Sequence, residues 1–534
     1  MSTGKRIFAR DATGLVRELS TFDAFNLNAG QMSAATGWYA ISFSAIAFPN
    51  SDLALIMVLS TIIVFFVSYV YGQLSCAMPR SGGDYVWLSR GVNPILGFMM
   101  NFYFTAYMLI VVGLIAVPTI VMPSLSGVLM VAGVLTNSSY LTGLAATVVT
   151  PANATIIGIA VLVISGLLSL IRVRTLYRVL LGMFIVSIAG LLLTIVLLDV
   201  TPSSAFAAGF DTLVGTPGAY ANVIKQATAN GYLPGSTFSA SLLALPFGIQ
   251  SLTGWQFSSY VGGEVKSPSK KLPMSIILAL IINGILYVLL FNAMYNGLGY
   301  DFANASVYLQ SFYPKLYPSS LPALLPYLMI AMPVNPALVV FAVFSFFIAA
   351  LWLVVTYFPF STRNILAWSF DGVTPRMFAD VSDRFNTPTK AVGLSLVFSI
   401  LGVFVAYYTG WASATSNLIV GYNFMLMVVM LCAMTFPFTT KGKAILQAAP
   451  TFAKQKIGPL PIIVLFGLIG AIGTGFTFYA GLTNPLIGGA ITPGSGGFVL
   501  SLFIIPVIIY YISKAYRKSQ GIDLSFVFQQ LPPE

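Results

Sequence analysis

The chain reads Ser251-Leu-Thr-Gly-Trp-Gln-Phe-Ser-Ser-Tyr-Val-Gly-Gly-Glu-Val-Lys-Ser-Pro-Ser-Lys-Lys-Leu-Pro273 where an apolar run gives way to a basic turn punctuated by prolines. The middle of this segment is polar and contains Gly254, although the run before it has the character of a membrane helix. A polar interruption leaves backbone groups without helical partners, which a bilayer tolerates only beside protein, water or a bound solute. We therefore interpret Thr253-Gly254 as half of a solute-binding site.

The composition around this segment is that of a membrane protein. Of the 534 residues, 57% are hydrophobic and 7% are charged, and the mean hydropathy is +0.90, whereas soluble domains carry roughly 25% charged residues. The chain has no histidine, and its two cysteines, Cys76 and Cys432, indicate neither a disulfide framework nor a soft-metal site. We expect an all-α polytopic membrane protein that needs no cofactor and binds no nucleic acid.

Apolar runs long enough to span a bilayer, which takes about 17–25 residues, occur twelve times. The predicted spans are 24–48, 53–77, 94–122, 154–171, 176–199, 238–262, 273–298, 336–361, 391–409, 414–438, 460–483 and 497–515. The segment 123–153 is almost as apolar, but Asn137-Ser-Ser-Tyr and Pro151 interrupt it, so we predict an external loop there. A second external loop is predicted over residues 200–237.

The basic residues predict the orientation of these spans. All but two of the 25 basic residues, Lys225 and Lys315, fall on the side that both termini share. Because cytoplasmic loops are rich in Lys and Arg, we expect both termini in the cytoplasm of a plasma-membrane protein. The organisation expected is a cytoplasmic N-terminus (1–23), spans 1–5 (24–199), spans 6–10 (238–438), a cytoplasmic loop with spans 11 and 12 (439–515), and a cytoplasmic tail (516–534).

No charged side chain lies at the centre of a predicted span, so the usual sign of a proton relay or an ionic substrate site is missing. Amides, hydroxyls and glycines collect instead in Asn26-Leu-Asn-Ala-Gly-Gln-Met-Ser-Ala-Ala-Thr-Gly37 of span 1 and in Pro246-Phe-Gly-Ile-Gln-Ser-Leu-Thr-Gly254 of span 6. Taken singly, either segment is explained equally well by helix packing. As a pair at corresponding positions of an inverted duplication, they favour a transporter site. Broken helices offer N–H groups to a carboxylate and carbonyls to an ammonium, which suits a zwitterionic amino acid.

Three further stretches carry a family resemblance. They are Met78-Pro-Arg-Ser-Gly-Gly-Asp-Tyr85 with Leu96-Gly-Phe98; Thr253-Gly-Trp255 with Gly263-Glu-Val-Lys-Ser-Pro268 and Pro273; and Arg363 with Asp371-Gly-Val-Thr-Pro375 and Thr387-Pro388. Together they resemble the loop after span 2, the span 6 signature and the loop after span 8 of the amino acid–polyamine–organocation (APC) superfamily. The resemblance implies a five-plus-five inverted repeat with broken helices 1 and 6, followed by two extra C-terminal helices.

The resemblance also implies a substrate held between spans 1 and 6 and flanked by spans 3, 8 and 10. Carried over to this sequence, the substrate-binding residues are Gly30, Gln31, Ser33, Ala34, Ala35, Thr36, Gly37, Phe104, Ser251, Leu252, Thr253, Gly254 and Trp255. The chain departs from the family's Gly-Ser-Gly in span 1, where it has Ser33-Ala-Ala-Thr-Gly37. Tyr103 and Tyr107 are alternatives to Phe104 on span 3, and each of these aromatic residues has ordinary packing as its alternative role.

The resemblance also has implications for the coupling of transport to an ion, and here the chain departs from the family a second time. Some family members carry a Lys in span 5 whose ammonium stands where others bind Na⁺, and here Ser187 takes that place. Hydroxyl and carbonyl oxygens suit a hard cation, and Thr356 on span 8 is a companion ligand. We expect Na⁺ coupling or uncoupled exchange in preference to a Lys-based proton mechanism. If protons drive transport, Asp23 or Glu264 is the candidate, although Glu264 is better explained by pairing with basic residues or capping a helix.

The expected function is secondary transport of a neutral amino acid by alternating access, with the lipid bilayer and Na⁺, or less favourably H⁺, as the other partners. A nucleobase or another small neutral solute is the alternative within the same architecture. A non-transporting membrane sensor is the alternative from another class, and the shortness of the segments outside the spans disfavours it. An enzyme is disfavoured because the spans bring no convergent His, Cys or carboxylate groups.

Overall fold

The computed structural model describes residues 15, 17–42, 44–382, 384–409, 416–484, 486 and 492–530. The described residues up to 237 form helices α1 (Thr21–Met32), α2 (Ala34–Ser42), α3 (Ser44–Ala47), α4 (Leu53–Ala77), α5 (Asp84–Gly91), α6 (Pro94–Val111), α7 (Met122–Leu135), α8 (Ser139–Val148), α9 (Pro151–Ser169), α10 (Val173–Val200), α11 (Ser203–Val214) and α12 (Ala219–Ala229). A π-helical segment, Val112–Val121, joins α6 to α7 without a break.

The described residues after 237 are also mostly helical, with turns, short 3-10 segments and one short hairpin. Their helices are α13 (Phe238–Leu243), α14 (Leu245–Ser251), α15 (Phe257–Tyr260), α16 (Pro268–Leu298), α17 (Tyr300–Phe312), α18 (Leu325–Leu328), α19 (Pro336–Phe370), α20 (Thr389–Tyr408), α21 (Ser416–Thr435), α22 (Thr440–Ala448), α23 (Ile462–Thr483), α24 (Pro493–Ser519) and α25 (Leu524–Val527). Strands β1 (Lys456–Ile457) and β2 (Leu460–Pro461) pair antiparallel before α23.

Ten helices among the described residues are long and apolar enough to cross a bilayer: α4, α6 continued through α7, α9, α10, α16, α19, α20, α21, α23 and α24. The chain is therefore a helical, multi-pass membrane protein. The predicted spans 24–48 and 238–262 are absent from this group because each is divided into shorter helices. Span 1 comprises α1, α2 and α3, and span 6 comprises α13, α14 and α15.

The prediction of a loop over residues 123–153 is wrong, because α7, α8 and the start of α9 occupy that segment. Asn137 does interrupt the helices, with a positive φ of 54°, and Ser138 caps α8. The apolar run on either side nevertheless stays helical. Pro151 stands in the first turn of α9, where a missing N–H costs nothing, so this residue starts a helix instead of ending one.

The segment 200–237, predicted as an external loop, contains α11 and α12. Phe206 and Phe210 of α11 and Tyr220 of α12 pack around Phe302 of α17, with the rings of Tyr220 and Phe302 stacked 4.4 Å apart. Aromatic burial of this kind gives two short helices a core of their own. The placement of this segment outside the membrane stays a prediction.

The two divided spans lie among the long helices. Helix α1 packs against α10, α16 and α19, and α15 packs against α1, α16 and α19. The long helices thus form a frame around α1 and α15, and this arrangement brings the interrupted backbone of both predicted spans into the interior of the bundle.

One end of the bundle is closed by connecting segments that bond to one another. The backbone N–H of Leu19 donates to the Glu264 carbonyl at 2.9 Å, Lys266 N–H donates to the Leu19 carbonyl at 2.9 Å, and Gly82 N–H donates to the Tyr260 carbonyl at 3.0 Å. We call this the basic end, and it comprises Leu19 with residues 78–93, 260–272 and 363–382.

Candidate functional site

In span 1, the interruption between α1 and α2 is a single residue. Ser33, with φ −51° and ψ 125°, separates α1 from α2. Its carbonyl accepts from the N–H groups of Thr36 and Gly37, both at 2.9 Å, and its hydroxyl oxygen accepts from Ala35 N–H at 3.3 Å. Ser33 therefore supplies the partners that the first turn of α2 lacks. Of the residues predicted around this break, Ala34, Ala35, Thr36 and Gly37 are helical in α2, and Gly30 and Gln31 belong to α1.

The interruption of span 6 is longer. Helix α14 ends at Ser251, residues 252–256 form successive turns, and α15 begins at Phe257. Gly254 has a φ of +118°, a conformation that L side chains rarely adopt. Its N–H is held by the side-chain oxygen of Gln256 at 3.2 Å, and its carbonyl accepts from Phe257 N–H at 3.0 Å. The predicted residues Leu252, Thr253, Gly254 and Trp255 all lie in this non-helical stretch.

The two interruptions lie against each other. A Cβ on Gly254 would come within 2.3 Å of Cβ and Cγ of Gln31, so the side chain of Gln31 rests directly on the Gly254 backbone. Tyr287 of α16 contacts both breaks, because its hydroxyl lies 3.4 Å from the Ser33 carbonyl and 3.2 Å from the Ser251 carbonyl. The structure therefore brings together the two segments that the sequence singled out separately.

A second link joins α1 to α15. The side-chain oxygen of Asn28 accepts from the backbone N–H of Ser258 at 2.7 Å, and its amide nitrogen donates to the Ser258 hydroxyl at 3.0 Å. Both residues are fully buried. This two-point bond satisfies an N–H group at the start of α15 that has no helical partner. Asn28 is absent from the predicted site, although it belongs to the polar segment of span 1.

Gln31 also bonds to span 8. Its amide nitrogen donates to the Tyr357 hydroxyl at 2.9 Å, and its oxygen lies 3.4 Å from the hydroxyl of Thr356, which donates mainly to the Leu353 carbonyl at 2.7 Å. One turn earlier on α19, the indole of Trp352 packs on Gly30, where a Cβ would come within 2.5 Å of Nε1. The small residue at position 30 thus allows α1 to lie directly against α19.

Aromatic side chains surround the start of α15. The Phe104 ring centroid lies 5.5 Å from that of Phe360, 5.6 Å from that of Tyr260 and 5.8 Å from that of Tyr422. Trp255 is buried and meets the Tyr71 ring edge-on at 4.7 Å. Phe104 thus has the aromatic neighbours expected of a pocket wall, and packing accounts for the same contacts.

The alternatives to Phe104 on span 3 have bonds of their own. Tyr107 donates to the side-chain oxygen of Gln250 at 2.5 Å, and Tyr103 donates to the carbonyl of Leu418 at 2.8 Å. Tyr107 is thereby joined to α14, immediately before the break in span 6, and Tyr103 is joined to α21.

The two residues predicted to coordinate an ion are both fully buried, on neighbouring helices. The Ser187 hydroxyl on α10 has no hydrogen-bond partner among the described residues, and Thr356 bonds within α19 and to Gln31. No hydrogen bond of the described chain joins Ser187 to Thr356. Their helices do pack together, with the ring of Phe184, one turn before Ser187, 5.7 Å from that of Trp352.

The two acidic residues considered as proton carriers both have structural partners. Asp23 caps its own helix by accepting from the Ser20 N–H at 2.8 Å. Glu264 forms a buried two-point ion pair with Arg363, whose Nε and Nη2 lie 2.7 Å and 3.0 Å from the carboxylate oxygens. The expectation that Glu264 pairs with a basic residue is confirmed.

A small cleft lies beside the start of α2. The predicted residues Ala35 and Thr36 line it, together with Trp38 and Tyr39 of α2 and Tyr327 of α18.

Comparison with known proteins supports one assignment. A family model described as amino acid permease matches residues 19–513. No curated protein matches the chain. The matched range contains both interrupted spans, all the residues predicted to bind substrate, and the basic end.

Proposed function

Because the chain belongs to the amino acid permease family, we propose that it is a secondary transporter that carries a neutral amino acid across the plasma membrane by alternating access. The membership confirms the resemblance to the APC superfamily drawn from the sequence, and it makes the chain a transporter of amino acids in general. The narrower substrate, the mechanism and the orientation are our proposals, and each rests on a separate observation.

We propose an architecture of twelve spans, with α1–α3 and α13–α15 as spans 1 and 6 of a five-plus-five inverted repeat. Four uninterrupted candidate spans, α4, α6 continued through α7, α9 and α10, lie between the two interrupted spans, which supports this arrangement. Both termini then lie in the cytoplasm, as the distribution of Lys and Arg indicates. In this orientation the basic end faces the cytoplasm, and the cleft beside α2 faces outward.

The observation that carries the proposed site is the contact between the two breaks. Ser33 and Gly254 are brought together by Gln31 and Tyr287 in the interior of the bundle. Non-helical backbone at membrane depth is tolerated only where it is covered by protein or lines a cavity. We propose that the α-amino and α-carboxyl groups of the substrate bind at these breaks and that the predicted residues from Gly30 to Gly37 and from Ser251 to Trp255, with Phe104, form the pocket.

A neutral substrate is favoured by the chemistry of the side chains that join the breaks. These are the amides Asn28 and Gln31 and the phenols Tyr287 and Tyr357. The buried charges described above belong instead to the basic end, where Glu264 is already paired with Arg363. A cationic substrate would need an acidic partner at the site, because an uncompensated charge inside a membrane is costly.

Sodium coupling is supported by one buried hydroxyl oxygen, Oγ of Ser187. The hydroxyl of Ser187 is fully buried without a hydrogen-bond partner among the described residues, and a hydroxyl keeps two lone pairs for a hard cation. Thr356 donates its own proton to Leu353 and likewise retains acceptor capacity. We propose that these two residues contribute to a Na⁺ site next to α1.

The experiment that tests the substrate is a thermal-shift panel on the purified full chain, with amino acids and nucleobases each measured with and without Na⁺. We expect a neutral amino acid to raise the melting temperature, and we expect a larger rise when Na⁺ is present. Stabilisation by a nucleobase and by no amino acid would overturn the proposed substrate.

Uptake into vesicles tests the coupling ion. Replacing Na⁺ by choline is expected to abolish concentrative uptake, or to leave only exchange. Uptake that ignores Na⁺ but follows an imposed pH gradient would refute the Na⁺ proposal.

A further inference from the structure

Asp84 is a buried carboxylate that has no basic partner among the described residues. Its side chain is fully shielded from solvent, and it accepts from Tyr71 Oη at 3.0 Å, Tyr260 Oη at 3.2 Å and Asn101 Nδ2 at 2.6 Å. No Lys or Arg of the described residues forms an ion pair with it. Asp84 begins α5, between the second and third spans, so it lies outside the membrane-spanning helices.

The other buried carboxylates of the basic end are each neutralised by an arginine. Glu264 is paired with Arg363 at 2.7 Å, and Asp371 is paired with Arg90 at 2.6 Å. An opposite charge compensates these acids for part of their lost hydration. Asp84 has only neutral donors, which offset its burial incompletely, so desolvation raises its pKa from 3.8 to about 6.

The groups that face this carboxylate come from several helices and carry no charge. They are Tyr71 on α4, Asn101 on α6, Tyr260 on α15 and, at longer range, Tyr422 on α21. The indole of Trp368 on α19 donates to the oxygen of the Asn101 amide at 2.7 Å, which turns the amide nitrogen toward the carboxylate. Helices α4, α6 and α15 are thus each bonded to the one acidic group of α5.

Tyr260 connects this cluster to the break in span 6, because it is the last residue of α15. Its ring lies on Gly83, where a Cβ would come within 2.6 Å of the ring, and its carbonyl accepts from Gly82 N–H at 3.0 Å. The backbone at Gly82 and Gly83 has positive φ, which a glycine adopts without strain. Any movement of α15 away from α5 therefore withdraws the Tyr260 hydroxyl from Asp84.

We propose that Asp84 is a proton-binding site that controls the opening of the basic end. The inference rests on the proposed transport function, in which this end opens to release substrate into the cytoplasm. Opening separates α15 from α5, removes the Tyr260 bond and admits water to the carboxylate. Water in the open state solvates the charged form of Asp84, so protonation of Asp84 favours the closed state.

The direction of the pH effect follows from the two proton affinities. The pKa is about 6 in the closed state, and it returns toward the ordinary 3.8 when water reaches the group. The closed state therefore binds the proton more tightly, and acid favours closure. Lowering the pH from about 7.5 to 4.5 should reduce the opening equilibrium constant by roughly thirtyfold, with little change above about pH 7.

Amide hydrogen exchange of the full chain in lipid nanodiscs measures this opening without substrate or ion gradient. The amides of residues 78–93 and 257–266 are followed from pH 7.5 to 4.5, with each rate corrected for the pH dependence of intrinsic exchange. We expect the corrected opening constant to fall by roughly thirtyfold in the natural protein. In Asp84→Asn, which keeps the shape of the neutral acid, we expect no pH dependence.

Two further variants keep the test decisive. Asp380→Asn changes an exposed acid paired with Lys390 and should keep the natural pH dependence. Tyr71→Phe removes a donor that favours the charged form, so the transition should move to higher pH; this variant carries the test if Asp84→Asn does not fold. A pH-independent natural protein, or an Asp84→Asn variant with unchanged dependence, would overturn the proposal.

The result is separable from the proposed function. If the exchange data agree but no amino acid binds in the thermal-shift panel, the transport proposal fails and Asp84 stands as the proton site of the basic end. If an amino acid binds but the basic end exchanges independently of pH, the Asp84 proposal alone is wrong.

Discussion

Single buried side chains join the interrupted spans to each other and to the surrounding helices. Asn28 fastens α1 to α15, Gln31 fastens α1 to α19, and Tyr287 touches both breaks. Hydrogen bonds between membrane helices are individually modest, near 0.6 kcal/mol on average and about 1.7 at most. The two bonds from Asn28 to the first turn of α15 should therefore be measurable together, while a single bond of this kind is hard to detect.

Asn28→Ala tests whether this side chain joins α1 to α15. The substitution removes both bonds to Ser258 and leaves a buried N–H without a partner, so we expect the free energy of unfolding to fall by about 1–3 kcal/mol. The measurement is the thermal or denaturant midpoint of the purified protein. Asn292→Ala is the matched control, because Asn292 is exposed and bonds only to its own helix. Equal effects of the two substitutions would contradict a joining role for Asn28.

The Glu264–Arg363 pair permits a second test at the scale of single residues. Glu264→Gln leaves the Arg363 charge buried without its partner, which costs about 3–5 kcal/mol, whereas Asp380→Asn in the exposed pair with Lys390 should cost about 0–1 kcal/mol. Replacing both members, Glu264→Gln with Arg363→Met, should recover part of the loss. A Glu264→Gln protein of natural stability whose transport no longer depends on pH would instead identify Glu264 as a proton carrier.

At the scale of helices, the sequence predicted which spans are interrupted but not how. Polar residues and glycine in the apolar runs located both breaks, because a uniform helix in lipid has no need of them. In span 1 the break shrinks to Ser33, since the residues after it have good helical geometry and Ser33 caps their first turn. The signal for Tyr287 was missing altogether, because a single tyrosine in the apolar run of α16 looks like ordinary packing.

Gly254→Ala tests the break in span 6. The new Cβ would meet the side chain of Gln31 at 2.3 Å, and the φ of +118° strains any L residue. We therefore expect substrate binding to fall at least tenfold, which corresponds to about 1.4 kcal/mol, in the thermal-shift and uptake assays. Gly182→Ala on α10 is the control, since a Cβ there meets nothing within 4 Å. Unchanged binding in Gly254→Ala would remove this residue from the site.

Taken over the full chain, hydropathy was sufficient to identify a helical membrane protein and to locate most of the long apolar helices. The prediction fails at 123–153, because Asn137-Ser-Ser-Tyr and Pro151 interrupt the apolar run without excluding helices there. Hydropathy also placed the end of span 8 at residue 361, whereas α19 continues to Phe370 and includes Arg363, which is paired with Glu264. Ion pairs between distant parts of the chain leave no mark in a local hydropathy profile. The pairing of Glu264 with a basic residue could therefore be expected, but Arg363 as its partner and the extra helical turns could not.

Thiol labelling in intact cells tests the proposed orientation. Lys225→Cys and Lys456→Cys both place a thiol at an exposed position, and the natural Cys76 and Cys432 are buried. A membrane-impermeant maleimide should label Lys225→Cys from outside and Lys456→Cys only after permeabilisation. The reverse pattern would invert the topology, and labelling of both from outside would refute the count of spans between them.

Tyr287 has a consequence of simple stoichiometry. A phenol carries one proton, yet its oxygen stands within reach of two carbonyls, at Ser33 and at Ser251. The Ser33 carbonyl already accepts hydrogen bonds from two backbone N–H groups and from the Thr36 hydroxyl. A hydrogen bond from Tyr287 therefore stabilises the Ser251 carbonyl more than the Ser33 carbonyl. The two carbonyls therefore compete unequally for the Tyr287 hydroxyl. A ligand that donates a hydrogen bond to the Ser251 carbonyl frees Tyr287 to turn toward Ser33.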